Sequence, residues 1–173
     1  MPAPRTTSRT ASWAGGLGVT LVEVRDTARE ALLLEAGIRQ ALLDGVDRGL
    51  TGNPPSIPET ATVFALREGR RTLGDAAGVV AILRDYPRAG EVSLVAIAIA
   101  PASRGRALAT KALLLAERRL LEEGATRVRA RVPRKNGRGL YFMLRCGFTP
   151  VTGTDAPQET GDATWFARRT PSK

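Results

Sequence analysis

The chain has 173 residues, 43% of them hydrophobic, with a formal net charge of +9, no histidine and a single cysteine, Cys146. That length suits one domain with a substantial core. The missing imidazole excludes Ser-His-Asp and Cys-His catalytic units and zinc sites that need histidine, and one thiol forms neither an internal disulfide nor a thiolate cluster.

Only three of the 26 basic residues are lysines (Lys111, Lys135, Lys173), and the arginines are spread along the chain except around 127–138. An excess of positive charge points to an acidic partner, either a phosphate-rich cofactor or a nucleic acid. Aromatic residues are 5% of the chain and do not alternate with the basic ones, which disfavours stacking on single strands. The longest apolar run, Leu94 to Ala102, is too short to span a bilayer, so no membrane partner is expected. One free cysteine and no secretory leader fit the cytoplasm.

Residues 1–16 are rich in Pro, Thr, Ser and Gly without periodicity, and are expected to be a disordered basic tail preceding one domain over 17–173. Val19–Arg25 alternates as a strand, and Asp26-Thr27 can cap a helix expected over Ala28–Leu43. A second short helix near Val46–Leu50 and a loop over Thr51–Pro58, stiffened by three prolines, follow. Thr62–Arg67, Ala77–Asp85 and Glu91–Ile99 read as three strands joined by short turns, hence antiparallel neighbours. The pattern then changes to helical spacing from Ala107 to Glu123, with Gly124 as a C-cap. Arg127–Val132 is the next strand, with Val128, Ala130 and Val132 on one face and Arg127, Arg129 and Arg131 on the other. A strand–helix–strand unit of this length makes the fourth and fifth predicted strands parallel. Asn136–Cys146 reads as a short helix stopped by Gly147, and Phe148–Val151 and Ala163–Arg168 as two last strands. The fold class is α/β (α+β): a mixed, mostly antiparallel sheet of about seven strands with helices on both faces.

Pro101 ends the fourth strand, and Ser103-Arg104-Gly105-Arg106 makes a small basic turn before the long helix. Helix N-termini expose unpaired N–H groups and the positive end of the dipole, so an anion can dock there. Further on stand Asn136, Gly139, Phe142-Met143 and Gly147-Phe148, with the Asn and the Gly-Phe eleven residues apart.

These two stretches, in this order, resemble the GCN5-related N-acetyltransferase (GNAT) superfamily. Its acyl-CoA loop reads Arg/Gln-x-x-Gly-x-Gly/Ala, matched by Arg104 to Ala109 except that Ala107 stands where the family prefers Gly. The resemblance covers roughly residues 19–168 and implies an acetyl-CoA or other acyl-CoA co-substrate, with the fourth and fifth strands splayed around it. It implies cofactor contacts at Ala98, Ile99, Arg104, Gly105, Arg106, Ala107, Leu108, Ala109, Thr110, Asn136 and Met143. It further implies direct attack by an amine of a small molecule or peptide, the carbonyl being polarised by a backbone N–H near Ile99. Met143 occupies the place of the tyrosine that protonates the leaving thiolate in many members, leaving Tyr141 as the nearest phenol. The family's strand glutamate corresponds to Ser93, with Glu91 one pleat away as the candidate base. The implied enzyme is a cytoplasmic N-acyltransferase, monomeric or homodimeric. Two alternatives remain open: a CoA-binding protein with little catalysis, and acylation of an aminoacyl-tRNA.

Overall fold

The computed structural model describes residues 11–46, 57–70, 75–156 and 161–168. The strands are β1 (Ala14–Gly16), β2 (Val19–Val24), β3 (Thr62–Glu68), β4 (Gly78–Arg84), β5 (Glu91–Ile99), β6 (Arg127–Pro133), β7 (Phe148–Pro150) and β8 (Ala163–Arg168). The helices are α1 (Asp26–Leu34), α2 (Ala36–Val46), α3 (Leu108–Glu122) and α4 (Gly137–Arg145). They build one eight-stranded sheet in the order β1-β2-β3-β4-β5-β6-β8-β7. Every pairing is antiparallel except β5–β6, which α3 connects and which is parallel.

The sheet is buried on both faces. On one, Leu113, Leu120, Phe148 and Phe166 join the cluster under α3 and α4; on the other, Leu32, Ile38, Val63 and Val79 form a second cluster under α1 and α2. Among the described residues, no helix is long and apolar enough to cross a membrane.

Two expectations need correction. The tail does not reach residue 16: Ala14–Gly16 pairs with Val19–Leu21, and the Trp13 ring stacks on Phe64 at 4.2 Å. Leu17 (φ 54°) and Gly18 (φ 73°) both lie in the left-handed region, the signature of a two-residue hairpin turn. That hairpin supplies the eighth strand. The single helix over Ala28–Leu43 is two helices broken at Glu35, whose extended ψ of 129° ends α1. No Gly or Pro marks the break; it lets Leu32 and Ile38 both reach the same core cluster. The expected helix at Val46–Leu50 and most of the proline loop lie outside the described residues.

One irregularity shapes the site. Ala81 faces Ala96 but Ile82 faces Leu94, so Val95 is an extra residue on β5. Such a bulge bends a strand and interrupts its ladder. β6 pairs with β5 only from Glu91↔Arg127 to Leu94↔Ala130, and beyond that point β6 pairs with β8 alone. The two parallel strands part at the bulge and leave a cleft.

Candidate active site

The cleft leads to the start of α3. After β5, a 3-10 turn at Pro101–Ser103 reverses the chain, and Gly105 (φ 82°) and Ala107 (φ 55°, ψ 24°) take left-handed conformations. No side chain caps α3. Its first N–H groups have no partner a turn earlier, and the Lys111 N–H is the one that donates to the Ala107 carbonyl, at 3.0 Å. Successive N–H groups around left-handed residues form an anion-binding concavity. The left-handed φ at 107 also explains the family's preference there: glycine adopts that conformation without steric cost, whereas alanine is strained in it.

A cavity of about 290 Å³ lies against this loop, bordered by Ala98, Ile99, Arg104, Gly105 and Ala107 to Ala109. The side chains of Arg106 and Thr110 turn elsewhere. Arg106 donates to Glu68 and to the Ala102 carbonyl. The Thr110 hydroxyl partners the Cys146 thiol, whose pKa burial pushes up, so the thiol stays protonated. Arg104 is also engaged, donating to the Ile99 carbonyl at 3.2 Å and to Asp44 at 2.6 Å.

A second cavity, of about 220 Å³, fills the gap between the parted strands. Leu94 to Ile97 form one wall, Ala130 to Val132 the other, and Asn136, Gly139, Phe142 and Met143 close it from α4. Asn136 is buried and caps α4, its Oδ1 accepting from the Gly139 N–H at 3.0 Å. A Cβ on Gly139 would come within 2.9 Å of Val132 Cγ1 and collide with the Asn136 amide, so no larger residue fits. Beyond Leu94, the edge of β5 that faced β6 has no strand partner among the described residues, and its main-chain groups border the cleft. Ile97, Ala109 and Arg138 border both cavities, making one continuous path from the α3 loop to the bulge.

The candidate acid and base residues stand differently. Tyr141 is 63% exposed, on the outer side of α4 with Arg145 5.8 Å from its ring centroid. Two residues along a helix is about 200° of rotation, which carries it away from the Met143 side. Tyr141 therefore does not border the cleft. Met143 itself is buried at the cleft and carries no proton to give. Ser93 is buried with its Oγ donating to the Tyr86 carbonyl at 3.0 Å. Glu91 is buried too, and its two carboxylate oxygens accept from Arg129 Nε at 2.7 Å and Nη2 at 2.8 Å. Both oxygens are thus held by a guanidinium, and Glu91 borders neither cavity, so the structure engages the candidate base in an ion pair away from the cleft.

Arg129 belongs to a network. Its side chain is fully buried and also donates to the Asp155 carbonyl and carboxylate, at 3.1 Å each. Arg127 reaches the other Asp155 oxygen at 2.6 Å. Burial alone would lower the Arg129 pKa, but its hydrogen bonds to Glu91 and Asp155 together raise it. The hydrogen bonds from Arg127 and then Arg129 hold the Asp155 carboxyl down at about 2. Arg127 and Arg129 are thus spent within the protein, while Arg131 borders the cleft.

Sequence reasoning missed Arg138 and the Val95–Ala96 bulge. Arg138 had a signal in its place two residues after a helix-capping asparagine and close to the loop's own arginines; the bulge had none.

The model of the Acetyltransferase (GNAT) family matches residues 32–148, more than half of the chain. Among curated proteins, none matches the sequence. Solved structures do match in fold. A GNAT-family acetyltransferase from Staphylococcus aureus has a TM-score of 0.61 at 12% identity, covering 87% of this chain and 98% of that one. An acetyltransferase from Thermus thermophilus has a TM-score of 0.59 at 21% identity over 88% and 97%. A Bacillus subtilis acetyltransferase solved in complex with CoA has a TM-score of 0.54 at 15% identity over 88% and 97%. With the family model spanning both motif stretches, the chain belongs to the GNAT family of acetyltransferases.

Proposed function

We propose that this protein is an acyl-CoA-dependent N-acyltransferase, with acetyl-CoA as donor and a primary amine of a small molecule or peptide as acceptor. The observation that carries the reading is the continuous path from the uncapped α3 start to the parted strands. A diphosphate suits the unpaired N–H groups at one end. A narrow arm with amide groups suits the apolar, strand-edged cleft at the other, where it can bond main-chain groups as an added strand would. The CoA-bound fold relative from Bacillus subtilis supports the same donor.

Acyl-CoA supplies an acyl group activated as a thioester. The protein's part is to hold it at the bulge, where N–H groups on the open edge of β5 can stabilise charge on the carbonyl oxygen. An acceptor amine then forms the C–N bond as the C–S bond breaks. Because Met143 gives no proton, the thiolate departs unassisted; thiolates are good leaving groups. Because Glu91 and Ser93 are engaged, the amine sheds its proton to water. The acceptor approaches from the face of β5 and β6 that carries Ser93 and Arg131, under the segment that Asp155 anchors. The free, protonated Cys146 fits a cytoplasmic location.

Thiol release from acetyl-CoA across a panel of amines tests the proposal. Turnover whose pH–rate profile tracks the pKa of each acceptor amine is the expected result. Tight CoA binding with no turnover on any amine would instead favour a CoA-binding protein, a second reading that Met143 at the acid's place motivates. An aminoacyl-tRNA acceptor gains little, since two of the three arginines on its supposed strand face are consumed by Glu91 and Asp155.

A further inference from the structure

We infer that Arg138 is the side chain that neutralises the diphosphate of the bound donor, an assignment that rests on the proposed acyl-CoA. The family motif draws attention to the loop arginines, but both are already matched by carboxylates: Arg104 by Asp44 at 2.6 Å, Arg106 by Glu68. Arg106 does not border the cavity at the loop. Arg138 forms no hydrogen bond or ion pair with any described residue, and it borders both cavities. It sits in the first turn of α4, across the path from the α3 N-terminus.

Its chemistry fits that place. A diphosphate brings about two negative charges, and the N–H groups of α3 offer only partial ones. A guanidinium presents paired donors matched to phosphate oxygens, and one without a competing carboxylate gives up only water when the anion arrives. The loop arginines would first have to leave Asp44 or Glu68. Placed at the junction of the two cavities, Arg138 meets the donor where its phosphates give way to its arm. It would also tie α4, the far wall of the cleft, to the loop.

Calorimetric titration with CoA, 3′-dephospho-CoA and pantetheine tests this by affinity alone. For Arg138→Ala, CoA and 3′-dephospho-CoA should both weaken about 10- to 100-fold, as for loss of a charged hydrogen bond. Pantetheine, which has no diphosphate, should bind as to the wild type, and Arg138→Lys should recover part of the loss. Arg106→Ala should change CoA affinity less than about threefold. A wild-type protein that binds CoA while Arg138→Ala binds it within twofold overturns the assignment and leaves the donor proposal standing. Equal losses for CoA and pantetheine overturn it as well, since they mean only that α4 has shifted. A wild-type protein that does not bind CoA removes both.

Discussion

Two clusters of charge flank the parted strands, and they are built oppositely. Around Arg129 every charged group is answered: Glu91 takes two of its hydrogen bonds, and Asp155 bridges it to Arg127. Around the α3 loop the polar groups are left open: no side chain caps the helix, two residues take left-handed backbones, and Arg138 reaches no carboxylate among the described residues. Arg129 and Glu91 are buried, where an unpaired polar group is costly, whereas Arg138 and the loop that leads into α3 are exposed, where water serves until an anion displaces it. The closed cluster therefore reads as architecture that fastens the 151–156 segment to β6, and the open one as a place for a ligand. Sequence position does not separate the two, since both draw on arginines beside a strand of the same βαβ unit.

The sharpest way to break the closed cluster is Arg129→Met, which strands Glu91 as a buried charge. It should cost about 3–5 kcal/mol in urea unfolding. Adding Glu91→Gln should recover most of that, because the stranded charge, not the lost pair, is the main penalty. If the single variant unfolds like the wild type, the cluster is not structural and Glu91 returns as a candidate base. On the open side, Gly139→Ala should cost about 1–3 kcal/mol through collision with Val132 and the Asn136 cap. Because that contact also shapes the cleft, CoA affinity should fall with it, whereas the Arg129 and Glu91 double variant should keep CoA binding.

Much of the open cluster was legible because its signals are local. Pro101, the small basic turn and Gly124 delimit α3, and the spacing of Asn136, Gly139 and Gly147-Phe148 delimits α4. The alternation of Val128, Ala130 and Val132 against three arginines placed the faces of β6 correctly. The closed cluster was not legible, because Glu91 and Arg129 meet across 38 residues of chain, and only the parallel register, which sets Glu91 opposite Arg127 and Ser93 opposite Arg129, brings them within reach. The break at Glu35 and the extra residue at Val95 have the same origin: tertiary packing imposes them on sequences with no local breaker. The Leu17-Gly18 hairpin was the exception, a local signal overlooked within a stretch of tail-like composition.

A smaller change sharpens the open cluster. Ala107 is strained at φ 55°, so Ala107→Gly should relieve it and stabilise the protein by about 1 kcal/mol despite glycine's greater freedom when unfolded. In a chain of this size that is a rise in Tm of about 2–4 °C. A lower Tm would mean that the left-handed turn at Ala107 is absent.

The smallest effect concerns acid. The Asp155 carboxyl lies near 2 in the folded protein, below the usual unfolded value of about 3.9. A depressed pKa contributes stability that is complete above the unfolded value and disappears as pH falls through the folded one. The window is therefore about pH 4 down to 2. Asp155 is 44% exposed, so solvent screening keeps the contribution below about 1 kcal/mol. Melting curves of the wild type and Asp155→Asn should differ by a constant amount above about pH 4 and converge toward pH 2. A difference that persists unchanged to the lowest pH would mean that Asp155 acts through its backbone carbonyl on Arg129, not through its charge.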